Sequence, residues 1–231
     1  MRQTADRPTH RQFRPRGLAM ALALAILSLV LPGPAPLSAQ SPSAAELAER
    51  IQARYSQIRD FTAEFVQTQT NPLLPRPVVE RGTVKVKKPG RMRWTYTTGD
   101  RNETVSDGTR IYNYARADRY VAVADMPDED DASTALLFLA GHGNLTRDFT
   151  VRLPDGQPED EWHLELTPKT PQADFATLTL QVARNTLAFR GLVIVDEQGG
   201  TSAFRFSNLR ENVGLTDREF EFTIPRGVEV R

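Results

Sequence analysis

The sequence predicts a mainly β (α+β) fold with short helices, built on one long antiparallel sheet that has to curve. Three observations carry that reading. From Asp60 onward apolar residues recur with period two, as in half-buried strands with one wet face. About eleven or twelve such segments follow one another, well above the ~5 to 6 strands of an ordinary sheet, and a sheet that long curls. Helical periodicity is confined to one segment near the start and one short apolar block in the middle.

Residues 1–39 read as a secretory signal peptide. Arg2, Arg7, Arg11, Arg14 and Arg16 precede an apolar run from Leu18 to Leu31, and Leu37-Ser38-Ala39 supplies a small-residue end for cleavage. The run is shorter than the roughly 20 residues a spanning helix needs. The mature chain is then one domain, residues 40–231, exported and soluble. It carries 24 basic against 28 acidic residues, a balance that disfavours nucleic acid as a partner.

Ser43 to Ile58 places Leu47, Ile51, Tyr55 and Ile58 on one helical stripe, with Ser43 as N-cap and Glu46 completing a capping box. Alternation then sets Phe61, Ala63 and Phe65 on one face, followed by Val84 with Val86 and by Met92, Trp94 and Tyr96. Val105-Ser106-Asp107-Gly108 runs into Ile111-Tyr112-Asn113-Tyr114, and the Asp-Gly pair predicts a hairpin with a two-residue type I′ turn. Arg119 to Ala124 is a further strand. Asp128, Glu129, Asp130 and Asp131 lead into the apolar block Ser133 to Ala140, a short helix stopped by Gly141. The remaining strand candidates are Phe149–Leu153, Glu161–Thr167, Phe175–Ala183, Ala188–Val195, Ala203–Leu209 and Phe220–Ile224.

Few chemistries fit this composition. The chain has no cysteine, which excludes disulfides, thiolate metal sites, a cysteine nucleophile and an acylated N-terminal cysteine. His142 and His163 are the mature histidines; they lie on different elements without metal-ligand spacing, and the acidic run 128–131 lacks the alternating ligands of a calcium loop. There is no Gly-x-Ser-x-Gly, no Ser-x-x-Lys and no glycine-rich phosphate loop. The expectation is a binding protein with no metal, no cofactor and no catalytic residue.

Two features ask for an explanation. Lys85, Lys87, Arg91 and Arg93 alternate with apolar residues and read as a wet sheet face, whereas Lys88 follows Lys87 directly and so turns to the apolar side, where an ammonium needs a partner. Leu136, Leu137, Phe138 and Leu139 go all round a short helix, more than packing on one side can bury. Two readings stand side by side: ordinary core, or a concave sheet face that holds an apolar ligand under a helical lid.

Several segments resemble a known family. Phe61-Thr62-Ala63-Glu64-Phe65-Val66-Gln67 follows the helix, and Gly82, Val84 and Val86 lead to Lys88-Pro89-Gly90-Arg91-Met92-Arg93-Trp94. Ser106-Asp107-Gly108 precedes Tyr112 and Tyr114, and Phe222-Thr223-Ile224-Pro225-Arg226-Gly227-Val228 lies near the end. In this order they resemble the periplasmic outer-membrane lipoprotein carriers, the LolA family, across nearly all the mature chain. The resemblance implies an incomplete β-barrel with a helical lid over a cavity for the acyl chains of lipoproteins. Parity lines that cavity with Phe61, Phe65, Val84, Val86, Met92, Trp94 and Tyr96, under lid residues Leu136, Leu137, Phe138 and Leu139. It further implies a monomer that takes cargo from an inner-membrane ABC transporter (LolCDE) and passes it to an outer-membrane acceptor (LolB). In the family a basic residue, usually arginine, precedes the proline of this motif and latches the lid through backbone carbonyls; here it is Lys88, with a point charge in place of a planar fork. A lipid-sensing regulatory domain of the same half-barrel and a secreted hydrolase with a scattered active site are the competing expectations.

Overall fold

A computed structural model describes residues 41–73, 75–127, 143–172 and 174–231. The signal-peptide segment, the acidic run and the block Ser133 to Ala140, with the lid residues Leu136–Leu139, lie outside the described residues, as does His142.

Helix α1 spans Ala44–Ser56, and its start is the capping box read from the sequence: Glu46 N–H donates to Ser43 Oγ (3.2 Å) and Ser43 N–H to Glu46 Oε2 (2.8 Å). Leu47, Ala48, Ile51 and Tyr55 form its buried stripe. The strands are β1 Asp60–Thr70, β2 Val78–Lys87, β3 Arg91–Tyr96, β4 Glu103–Asp107, β5 Arg110–Ala115, β6 Tyr120–Asp125, β7 Phe149–Arg152, β8 Glu161–Pro168, β9 Thr177–Ala183, β10 Phe189–Val195, β11 Thr201–Glu211 and β12 Glu229–Val230. They make one twelve-stranded sheet in the order β12-β6-β5-β4-β3-β2-β1-β11-β10-β9-β8-β7. All neighbours are antiparallel except β12 on β6, and among the described residues the sheet stays open, with β7 and β12 as its edges. A one-turn helix, α2 (Leu145–Asp148), is capped by the Asn144 side chain and tied to α1 by a 2.9 Å bond from Leu145 N–H to Gln52 Oε1.

The sheet curves toward the face that carries the large apolar residues. Strands β3 and β11 are separated by β2 and β1, so in a flat sheet they would lie about 14 Å apart. The rings of Trp94 on β3 and Phe204 on β11 nevertheless meet at 5.3 Å, with Phe65 of β1 touching both. Gly82 on β2 permits this convergence: a Cβ there would lie 2.6 Å from Phe65 Cζ and closer still to the Thr95 carbonyl oxygen. The core is continuous along this inner face and across to α1, as in the contact of Tyr55 with Phe189 at 4.9 Å.

Two local expectations are corrected. The β4–β5 hairpin forms, with Ser106 opposite Ile111, but of Asp107 and Gly108 only Gly108 has positive φ (97°), so the turn is not type I′, which needs two such residues. Asp107 instead accepts the N–H groups of Thr109 and Arg110 on Oδ1, a carboxylate-capped turn that lets its backbone stay in the strand. Phe220–Ile224 is not a strand. Phe220 ends a 3-10 turn, Asp217–Phe220, and is fully buried, while Phe222 packs on Tyr112 at 5.3 Å on the outer face. The last strand is β12, further on.

That C-terminal segment accounts for the cationic stripe. Lys85 pairs with Glu219 (2.9 Å) and Lys87 with Asp217 (2.7 Å), and Arg93 donates to the carbonyls of Glu219 (2.7 Å) and Glu221 and pairs with Glu103. The wet face of β2 and β3 thus holds the chain's own tail. Asp60, buried at the start of β1, sets the tail's departure by accepting the N–H groups of Val213 (2.7 Å) and Gly214 (3.1 Å).

Candidate functional site

Register and parity bring the sequence-chosen residues together. Across β1, β2 and β3 three rows stand on the inner face: Phe61, Val86 and Met92; Ala63, Val84 and Trp94; Phe65, Gly82 and Tyr96. All belong to the buried core except Gly82, a buried position without a side chain, and Tyr96, which packs against that core partly exposed. Trp94 is 1% exposed and Val86 fully buried, so the face is shielded from water.

Strands β8–β11 complete the face with residues the sequence reading did not single out for the site: Leu164, Leu166, Leu180, Leu192 and Phe204. Their alternation was legible as strand pattern. What was not legible is which strand lies beside which, because β11 reaches β1 only by pairing distant parts of the chain.

One polar chain crosses this face. Tyr96 Oη–H donates to Gln67 Oε1 (2.6 Å), and Gln67 Nε2–H donates to Ser202 Oγ (2.6 Å). Gln67 is buried, one alternation beyond Phe65 along β1, so the face turns from apolar to polar toward the Thr70 end of the strand. Burial and the nearby charge of Glu80 push the Tyr96 phenol above its ordinary pKa, so it stays protonated and serves as a donor. At the indole of Trp94, Nε1–H is buried and meets no acceptor among the described residues.

Lys88 stands at the opposite end. Its backbone N–H donates to the Arg59 carbonyl (2.8 Å), and its Nζ donates to the Tyr55 carbonyl (2.5 Å) while lying 3.1 Å above the Tyr55 ring. The ammonium therefore binds the last turn of α1, where the helix dipole favours a cation. Burial lowers its pKa to about 8, against the opposing pull of the Glu211 carboxylate. The sequence placed Lys88 on the apolar side but did not name α1 as its partner; the carbonyls it was expected to meet, in 136–140, lie outside the described residues.

The family model "Outer membrane lipoprotein carrier protein LolA" matches residues 56–223, and the chain belongs to that family. The outer-membrane lipoprotein carrier protein of Nitrosomonas europaea is 29% identical over 189 residues, covering 82% of this chain and 90% of the relative. That of Chromohalobacter salexigens is 29% identical over 195 residues, covering 84% and 90%. Among solved structures, a LolA-superfamily protein from Nitrosomonas europaea aligns with a TM-score of 0.45 and 13% identity, over 79% of this chain and 99% of the other.

Proposed function

We propose that this protein is an exported carrier of lipoproteins, which shelters the acyl chains of its cargo on the inner face of the sheet between the inner and the outer membrane. Membership of the carrier family supports the class of cargo. The observation that carries the reading is the inner face itself, a continuous apolar surface running across the sheet, with the charged groups of β2 and β3 on the other side. In this reading residues 1–39 direct export, Leu136–Leu139 form the lid, and the handover partners are an inner-membrane ABC transporter (LolCDE) and an outer-membrane acceptor (LolB).

The energetics explain why such a face is closed when empty. Each buried CH₂ contributes about 0.8 kcal/mol, so one ~16-carbon chain gains roughly 12 kcal/mol, and several fully buried chains would pass the ~20 kcal/mol ceiling on non-covalent affinity. A carrier that bound so tightly would not deliver. Here Phe65, Val86, Met92 and Trp94 already bury one another, so cargo has to displace packing that exists without it. That cost offsets part of the gain and turns loading and unloading into near-balanced exchanges between apolar pockets. Lys88 adds a polar clasp to the same closed state by tying the β2–β3 turn to the end of α1.

The test is to add the mature protein to spheroplasts whose lipoproteins carry labelled palmitate. The expected result is soluble labelled lipoprotein in complex with the protein, chased by outer-membrane vesicles. Label that stays with the spheroplasts refutes the carrier reading, and free labelled lipid in the complex favours the sensor.

A further inference from the structure

The inner face contains a hydrogen-bond donor that the apolar reading does not use. Among the described residues Trp94 Nε1–H is buried without an acceptor, and the indole is ringed by Phe65, Phe204 and Phe206 at centroid separations of 5.1, 5.3 and 6.2 Å. A buried N–H with no acceptor is costly, and tryptophans in protein interiors ordinarily find one. If the face had only to hold hydrocarbon, a phenylalanine would fill this position without the penalty.

A second observation fixes what kind of acceptor is missing. One alternation further along the same strands the face becomes polar, in the chain from Tyr96 through Gln67 to Ser202, and Gln67 is buried there. A primary amide has two N–H bonds, and the bond to Ser202 uses one of them. The orphan indole thus sits at the boundary, with hydrocarbon-like surroundings on the Phe61 side and hydrogen-bonding groups on the Gln67 side. An acyl chain has the same division: a tail that needs only apolar surface, and at its head one carbonyl oxygen that accepts hydrogen bonds.

We infer that Trp94 Nε1–H donates to the carbonyl oxygen of an acyl ester when cargo is bound, so that the face selects acyl over alkyl chains. The inference rests on the carrier reading and adds a specificity to it. In the empty state the unpaired donor is a penalty that only a carbonyl-bearing ligand relieves. The tail then lies toward Met92 and Phe61, and the glyceryl end toward Tyr96 and Gln67.

The experiment uses the mature protein and two probes. One is a cysteinyl peptide bearing an S-2,3-bis(palmitoyloxy)propyl group; the other is the same peptide with two hexadecyl ethers, which keeps the tails and lacks both carbonyls. The wild-type protein is expected to bind the ester probe about five- to thirtyfold more tightly, the equivalent of one hydrogen bond at ~1 to 2 kcal/mol. In Trp94→Phe that ratio falls toward one, whatever the absolute affinities. In the wild type, where no substitution can disturb folding, the ¹⁵N-indole resonance of Trp94 moves downfield with the ester and not with the ether. Equal wild-type affinities, or an indole proton that does not respond to the ester, overturn the inference, as they would if the N–H were satisfied by a neighbouring ring. Failure to bind either probe overturns the carrier reading and this inference together, whereas equal binding of both overturns the inference alone.

Discussion

Replacing Gly82 by alanine tests the packing that shapes the inner face. The added Cβ would meet Phe65 Cζ and Cε1 at 2.6 and 2.7 Å, inside any tolerated contact, and would press on the Thr95 carbonyl oxygen of the neighbouring strand. The carbonyl belongs to the ladder and cannot turn away, so the strands must part or the Phe65 ring must leave its place between Trp94 and Tyr96. Overpacking of this kind costs about 1 to 3 kcal/mol, and loss of one aromatic pair adds ~0.5 to 1.5. The smaller unfolded-state entropy of alanine returns about 0.4 to 1. The expected net loss is about 0.5 to 4 kcal/mol. With a urea m-value of about 2 kcal/mol/M, the unfolding midpoint falls by ~0.25 to 2 M. Adding Phe65→Leu to Gly82→Ala relieves the ring contact and not the carbonyl contact, so the double variant recovers part of the loss and the cycle shows a coupling above ~0.5 kcal/mol. A Gly82→Ala midpoint within 0.2 M of wild type (about 0.4 kcal/mol), or strict additivity with Phe65→Leu, would refute the argument that Gly82 is the floor on which Phe65 rests.

Other consequences follow from the ends of the face. Asp60→Ala removes charge-assisted bonds to the N–H groups of Val213 and Gly214 and should cost ~1.5 to 3 kcal/mol in chemical denaturation, with faster amide exchange at both; an unchanged midpoint sinks the assignment of Asp60 as the tail's anchor. The Lys88 ammonium should titrate near pH 8 by NMR of its ε-methylene, well below an exposed lysine. Because the unfolded chain then holds the proton more firmly, stability should rise with pH between about 8 and the ordinary lysine value near 10.4; a midpoint above 10 contradicts the burial of this group. On the proposed role of Lys88 as a clasp of the unloaded form, Lys88→Leu should load cargo and deliver it poorly. A charged hydrogen bond would shift transfer by ten- to a hundredfold, and the burial cost that lowers the lysine pKa offsets part of it, so the expected shift is about tenfold. Equal transfer by wild type and Lys88→Leu would remove the clasp from the delivery step.

Much of this architecture was legible in the chain because strands with one wet face write their parity into the sequence. Phe61 and Phe65, Val84 and Val86, Met92 and Trp94 were assigned to one face by alternation alone, and the register puts them in adjacent rows. The capping box at Ser43 and Glu46 was equally plain, since it depends on residues three apart. What failed or was missed depends on partners distant in sequence. Phe220 and Phe222 have the spacing of a strand, yet they are anchors of a tail held by Lys85, Lys87 and Arg93 from more than a hundred positions earlier. The turn after Asp107 followed a side-chain hydrogen bond in place of the dipeptide preference. Tyr55 as the acceptor for Lys88, and Gln67 as the centre of a buried polar chain, could not be read from local pattern, because each is defined by a contact across the sheet or between helix and turn.

Photocrosslinking of cargo to defined faces of the sheet decides where the acyl chains lie. A benzophenone amino acid is placed at Met92, which is buried on the inner face, or at Glu64, which is exposed on the outer one, and the protein is loaded with palmitate-labelled lipoprotein. Irradiation is expected to join the label to the Met92 variant through its acyl chain and to leave the Glu64 variant unlabelled. Labelling at Glu64 with none at Met92 would put the acyl chains on the outer face and leave the buried apolar face as no more than a core.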